Sequence, residues 1–446
     1  MQSVDDTGTE GTETREGTEP RIRILAVTDF FPWPPRNGGL IRTSTAVEAL
    51  TDAGDVDLFS LYDRREPKPV VPQHVRLGRV GLSPYPAIDH SNRWRMSWVF
   101  AGGRRAVPME VAMRQADDAP GRALRDWLAS SGSYDVVWFA RATIFEWLGR
   151  PDLGRTVVDL HDLESDKERR RARLMTEAGA SALVRLRTGL AHGQARINAR
   201  RWAAFERSVA EETDRVLLAS ADDARRVPLP HVTVLPNTFR RPLRPVGKDR
   251  ANKPPTLLFQ GTFDYAPNVD GARWLVDEVG HRARMRMPGT EIRLVGKSTN
   301  ALDEMHDPPD VVVVGQVPEM EPELARADVA VVPVRYASGT RLKILESFSN
   351  RIPVVTTAVG AEGLDVEDGI HLLVADSADD FVAACARLVD DTELRRRVVD
   401  AAEQRFLERY ESHVARDQIV ALVAELTSAT ADDVGKSRDR REFGLR

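Results

Sequence analysis

The chain has 446 residues, 42% hydrophobic and 29% charged, enough for two or three domains with real cores. Its one cysteine, Cys385, excludes a disulfide framework and a cysteine-based zinc site. The net charge of −5 arises entirely in residues 1–20, where six acids face Arg15; the neutral remainder argues against a nucleic-acid partner.

Residues 1–20 are acidic and Thr/Gly-rich without the apolar core of a signal peptide, and they read as a disordered leader. RIRILAVTDFF opens the folded part as a strand that stops at Pro32-Trp33-Pro34-Pro35. Gly38-Gly39 then leads into LIRTSTAVEALTDAG, a helix by its apolar spacing, and DVDLFSLY follows as a strand. This order is the opening of a parallel α/β unit. Further strands are expected at 134–140, 154–162, 214–220 and 232–236, with one long Arg-rich helical stretch over 164–212.

Segment 241–255 is proline-rich, charged and aperiodic, which is linker composition. A second series begins with TLLFQG at 256–261. It continues through 291–296, 311–317, 328–334, 352–357 and 371–376, with helices between. The fold expected is α/β: an N-terminal Rossmann-like domain (21–240), the linker, a C-terminal Rossmann-like domain (256–405), a helix over 406–427 and a polar tail (428–446). No stretch approaches the roughly 18 uninterrupted apolar residues of a membrane span. A cytoplasmic location follows as the expectation.

Ligands of open parallel sheets bind at the carboxyl ends of the strands. Ser338-Gly339-Thr340-Arg341-Leu342-Lys343-Ile344-Leu345-Glu346 follows such a strand and enters a helix with apolar Leu342, Leu345 and Phe348. Free N–H groups and the dipole at that N-terminus suit an anion such as a diphosphate. Arg341 and Lys343 are cations where the dipole disfavours them, which points the same way. Lys343 and Glu346 share one face, placing a carboxylate near sugar hydroxyls.

The run SGTRLKILESFSNRIPVVTTAVGAEGLDVEDGIHLLVAD resembles the donor region of family-4-type retaining glycosyltransferases (glycosyltransferase group 1) with the GT-B fold. PWPPRNGGLIRTSTAVEAL, VVDLHDLES, VTVLPNTF and FQGTFDYAPNVDGARWLVDEV agree in order, so the resemblance spans roughly residues 22–410. It implies two Rossmann-like domains facing a cleft, and transfer of a sugar from a UDP- or GDP-type donor with retention and without metal or other cofactor. The acceptor is expected to be a glycan, lipid-linked or metabolite hydroxyl. Carried onto this sequence, Glu346 would hold the ribose, and Gly38 and Gly39 would approach the phosphates. Gly339, Thr340, Arg341 and Lys343 would bind the diphosphate, with Glu362, Gly363 and Leu364 beside the nucleotide. His161 would face the transferred sugar as a catalytic residue together with Lys343. Two departures stand out. Ser338 replaces a glutamate common eight residues before Glu346, and Gln260, Thr262 and Asp264 stand where a basic pair is usual.

Residues 169–207 carry ten arginines against Glu177 and Glu206. A solvated helical face is one explanation; a patch for a lipid-linked acceptor or for peripheral contact with the inner membrane face is the other. Trp94 and Trp98, four residues apart, favour core packing. Rival functions are a nucleotide-sugar epimerase or phosphorylase on the same scaffold, and a catalytically silent binding subunit. The linker predicts closure of the two halves about 241–255, with the helix over 406–427 packed back on the N-terminal half.

Overall fold

Arg23–Thr28 (β1) is buried along almost its whole length, as a strand covered on both faces by helices must be. Around it the computed structural model describes residues 21–65, 69–85, 98, 107–113, 118–177, 182–249, 251–297, 300–336 and 339–428. The expectations for the leader, Trp94, Ser338 and nearly all of the tail lie outside the described residues.

Strands β2 (Asp55–Tyr62), β3 (Val80–Pro84), β4 (Val136–Phe139), β5 (Arg155–His161), β6 (Arg215–Leu218) and β7 (Val232–Val234) complete the first sheet. It is parallel in the order β3-β2-β1-β4-β5-β6-β7. The second sheet holds β8 (Thr256–Gln260), β9 (Glu291–Val295), β10 (Val311–Gly315), β11 (Val329–Val332), β12 (Val354–Thr356) and β13 (Leu373–Val374). It is parallel in the order β10-β9-β8-β11-β12-β13. Each order turns back after its first strand, so each sheet has a switch point where the loops diverge and a ligand can enter.

Three details differ from the sequence expectations. Gly38 and Gly39 are not a loop but the first turn of α1 (Gly38–Ala53), capped by Asn37, whose Oδ1 accepts the Leu40 N–H at 3.0 Å. The stretch 164–212 is two helices, α2 (Glu164–Glu177) and α3 (Ala182–Glu212). Segment 241–255 lies against the C-terminal half. There the buried Asp328 carboxylate accepts from Lys248 Nζ and from the backbone N–H of Asn252 and Thr256, at 2.8–3.0 Å.

Helix α4 (Leu342–Ser349) leaves β11 towards the cleft, and α5 (Thr392–Arg409) completes the C-terminal core through Val398, Ala402 and Phe406. The chain then recrosses. Phe239 donates its N–H to the Tyr410 carbonyl at 2.8 Å, so the outgoing and returning strands cross side by side. Helix α6 (Ser412–Ser428) packs Ala415, Ile419, Leu422, Val423 and Leu426 into the core of Ile24, Val47, Leu50 and Trp138.

Trp98 is buried, with its ring under the Arg201 guanidinium at 4.3 Å and its Nε1 donating to the Val107 carbonyl. Glu206 on α3 is 2% exposed; Oε1 accepts the Ser165 N–H while Oε2 has no partner, and burial pushes its pKa up to about 7. A carboxyl raised above its unfolded value binds more protons in the folded state, so its stabilising effect is lost as pH rises from about 4.5 to 7. The cost is on the order of 3 kcal/mol at pH 8. Glu206→Gln mimics the protonated form, so its melting temperature should gain on the parent by a few °C as pH goes from 5 to 8. Parallel melting curves for the two proteins across that range would refute this role.

Candidate active site

The carboxyl ends of both sheets meet across one cleft, and α1 touches α4 there. A Cβ on Gly38 would lie 2.8 Å from Leu342 Cδ1 of the other half, and one on Gly39 would lie 2.7 Å from Arg141 Nη2 of its own half, so a larger residue at either position would displace these side chains. Asn237, just beyond β7, donates from Nδ2 to Thr340 Oγ1 at 2.6 Å across the same boundary.

His161 ends β5, beside a register shift between Asp159 and His161, and its φ of 61° is rare for a residue with a Cβ. Its backbone is fixed by Asp159, whose Oδ1 accepts the His161 N–H at 2.9 Å. Asp159 is gripped in turn by Arg42 through Nε and Nη2, at 2.7 and 2.9 Å, while Arg42 Nη1 also reaches the Leu235 carbonyl and Asn237 Oδ1. Burial alone would raise the Asp159 pKa, but Arg42 holds it below the ordinary range. The His161 ring hydrogen-bonds the Ala140 carbonyl, and its buried Nε2 makes no hydrogen bond, lying 3.7 Å from Asp159 Oδ2. Burial, aided by Arg141 and Arg42, lowers its pKa to about 3. His161 is thus a neutral imidazole whose free nitrogen accepts a hydrogen bond.

Asp162, the next residue, has Oδ1 buried without a partner. Its carboxyl rests on Gly339, where a Cβ would fall 1.9 Å from Oδ1. Arg341 is the N-cap residue of α4 and 9% exposed, with Nε and Nη2 unpartnered. Burial lowers its pKa and the nearby Asp162 opposes that effect. Lys343, in the first turn, donates to Asn268 Oδ1 at 2.8 Å and sits 4.5 Å from the Phe259 ring centre. Burial, then repulsion by Arg341, lowers its pKa to about 7. Glu346 Oε2 accepts from Gln260 Nε2 at 2.8 Å, leaving Gln260 Oε1 buried and unpartnered. Burial, then Glu321, raises the Glu346 pKa to about 7.

The structure therefore brings Gly38, Gly39, His161, Gly339, Thr340, Arg341, Lys343 and Glu346 to one cleft. The 362–364 loop borders the same boundary. Glu362 pairs with Arg170 and Arg226 of the N-terminal half, Gly363 packs against Thr340 and Ser220, and Leu364 is part of the C-terminal core. Sequence reasoning missed Arg42, Asn237 and Asn268. All three lie in quoted segments, PWPPRNGGLIRTSTAVEAL, VTVLPNTF and FQGTFDYAPN, where a buried polar residue needs a partner. Among the described residues no group of three or more His, Cys, Asp or Glu side chains converges as a metal site, and no helix is long and apolar enough to cross a membrane.

Five unpartnered buried atoms belong to these cleft residues: His161 Nε2, Asp162 Oδ1, Gln260 Oε1, and Arg341 Nε and Nη2. Arg341 offers donors and the other three offer acceptors. A ligand that satisfies them carries an anionic group beside several hydroxyls.

Residues 254–391 match the model of the family Glycosyl transferases group 1. No curated protein matches the chain in sequence. Sucrose-phosphate synthase from Thermosynechococcus elongatus superposes with a TM-score of 0.64 at 18% identity, over 92% of this chain and 100% of that one. HepE of Anabaena, in complex with UDP, superposes with 0.59 at 12% identity over 91% and 100%. A glycosyltransferase from Rickettsia africae superposes with 0.58 at 9% identity over 92% and 100%. The two-sheet architecture of this chain is the GT-B fold.

Proposed function

We propose that this chain, a GT-B protein whose C-terminal half carries the Glycosyl transferases group 1 domain, moves a sugar from a nucleoside diphosphate sugar to a hydroxyl acceptor, with retention at the anomeric carbon and without metal. The observation that carries this reading is the set of unsatisfied atoms in the cleft, whose chemistry matches a phosphorylated, polyhydroxylated ligand. Family membership of residues 254–391 supports sugar transfer, and HepE, which shares the fold, has been seen with UDP and with UDP-glucose.

In this mechanism Arg341 and the first-turn N–H groups of α4 receive the diphosphate, with Lys343 behind them. Glu346 accepts hydrogen bonds from the ribose hydroxyls. His161 Nε2 accepts one from a hydroxyl of the transferred sugar, fixing its orientation as the bond to phosphate loosens. Charge builds on the departing diphosphate, where Arg341 stabilises it, and a phosphate oxygen takes the proton of the acceptor hydroxyl attacking from the same face. No carboxylate nucleophile is required.

Incubation with a panel of UDP- and GDP-sugars in EDTA should release nucleoside diphosphate for at least one donor, faster when a hydroxyl acceptor is present. Binding without any release across the panel would favour a silent binding subunit instead.

The two groups titrating near 7 give this reading a pH signature. Phosphate favours the Lys343 ammonium, so the affinity of the nucleoside diphosphate, which also carries the ribose, should peak near pH 7 and fall as pH rises beyond it. Ribose favours the Glu346 carboxylate, so nucleoside affinity should rise towards pH 7 and then stay level. Calorimetry of uridine and UDP, or guanosine and GDP, from pH 5.5 to 8.5 should show the alkaline decline for the diphosphate alone. Its absence would remove Lys343 from the phosphate site.

A further inference from the structure

Asp162 is the one acidic side chain among the unsatisfied cleft atoms, and nothing in the mechanism above uses it. Its Oδ1 is buried and accepts nothing, and its carboxyl lies directly on the Gly339 backbone, at the mouth of the phosphate site. Burial pushes its pKa up and Arg341 pulls it back, while Glu164 and Asp223 add to the rise. The carboxylate at this point of the cleft therefore comes from the N-terminal half.

A carboxylate so near Arg341 cannot itself contact a diphosphate. Two like charges about 4 Å apart repel by about 4 kcal/mol in surroundings of intermediate polarity. The group that fits between Asp162 and the phosphate must be neutral and must donate hydrogen bonds. In a nucleoside diphosphate sugar the group attached to the outer phosphate is the sugar ring, whose hydroxyls are such donors. His161 Nε2, one residue away, faces the same requirement. The backbone that presents both side chains is held by the Arg42–Asp159 pair, so their positions are set before any ligand arrives.

We infer that Asp162 binds hydroxyls of the transferred sugar from across the cleft and helps determine which sugar is accepted. The inference rests on the donor-site reading above. It predicts that Asp162 distinguishes the nucleotide sugar from the nucleotide, because only the sugar reaches it.

The test is calorimetry of UDP, GDP and their hexose conjugates on the parent, Asp162→Asn and Asp162→Ser, with melting curves to show that each variant folds. Asparagine keeps the shape and removes the charge. Loss of a charge-assisted hydrogen bond should weaken the preferred nucleotide sugar about tenfold or more, with the free nucleoside diphosphate unchanged within about twofold. The ranking among hexose donors should also flatten. If both ligands weaken equally, or neither does, Asp162 does not read the sugar. If the variants bind the diphosphate more tightly than the parent, Asp162 is a resident competitor of phosphate and the inference is overturned. If the parent binds no nucleoside diphosphate at all, the donor-site reading fails rather than the role of Asp162.

Discussion

His161→Ala should lower kcat by about a hundredfold or more while leaving nucleoside diphosphate affinity unchanged. That magnitude is typical of removing one preorganised hydrogen-bonding group that acts as charge develops in the transition state. The structure sharpens the reason. The imidazole is neutral through the working pH range, since its pKa lies at about 3, so it acts by position and not by proton transfer. Its rate contribution should then show no titration near pH 6–7, where an ordinary histidine would ionise. His161→Asn, which keeps a hydrogen-bonding side chain, should recover part of the loss. An equal fall in diphosphate binding for His161→Ala would instead make His161 a structural element of the β5 terminus.

Arg341→Ala should weaken nucleoside diphosphate by about tenfold to a hundredfold and leave nucleoside binding intact, because Nε and Nη2 have no hydrogen-bond partner among the described residues. Removing Arg341 relieves its own desolvation cost but leaves the buried Asp162 without its main opposing charge, so a melting curve accompanies the titration to show that the variant folds. A residue kept for folding would lose stability without that selective loss of diphosphate. Lys343→Ala should show a smaller loss, because Lys343 is held by Asn268 and only partly charged at neutral pH. Both losses should shrink at high salt as screening grows.

The strands and the α4 constellation were legible in the sequence because they are local. Apolar runs of four to eight residues bounded by Gly and Pro mark buried parallel strands, and SGTRLK sits where one of them ends. β3 was not legible: Val80–Pro84 is a short edge strand with Val80 and Leu82 exposed, so it lacks the continuous apolar run. For pairs far apart in the chain the sequence carried little information. Arg42 and Asp159 are 117 positions apart, and Asn237 and Thr340 are 103 apart. No local pattern tells a polar residue that finds a distant partner from one that faces solvent. The same limit applies to Glu362, whose pairing with Arg170 and Arg226 of the other half no local pattern announces. The lowered pKa values of His161 and Lys343 likewise depend on burial that only the assembled cleft supplies.

The central claim is retaining transfer at this cleft, and its most direct measurement is proton NMR of the reaction as it proceeds. An α-linked nucleoside diphosphate hexose is mixed with the enzyme, EDTA and an acceptor that accelerates nucleotide release. The account predicts that the first anomeric signal of the product is α, appearing at the rate at which nucleoside diphosphate is released and before any mutarotation. A β product formed first, or turnover that disappears with EDTA and returns only with added metal, would contradict it.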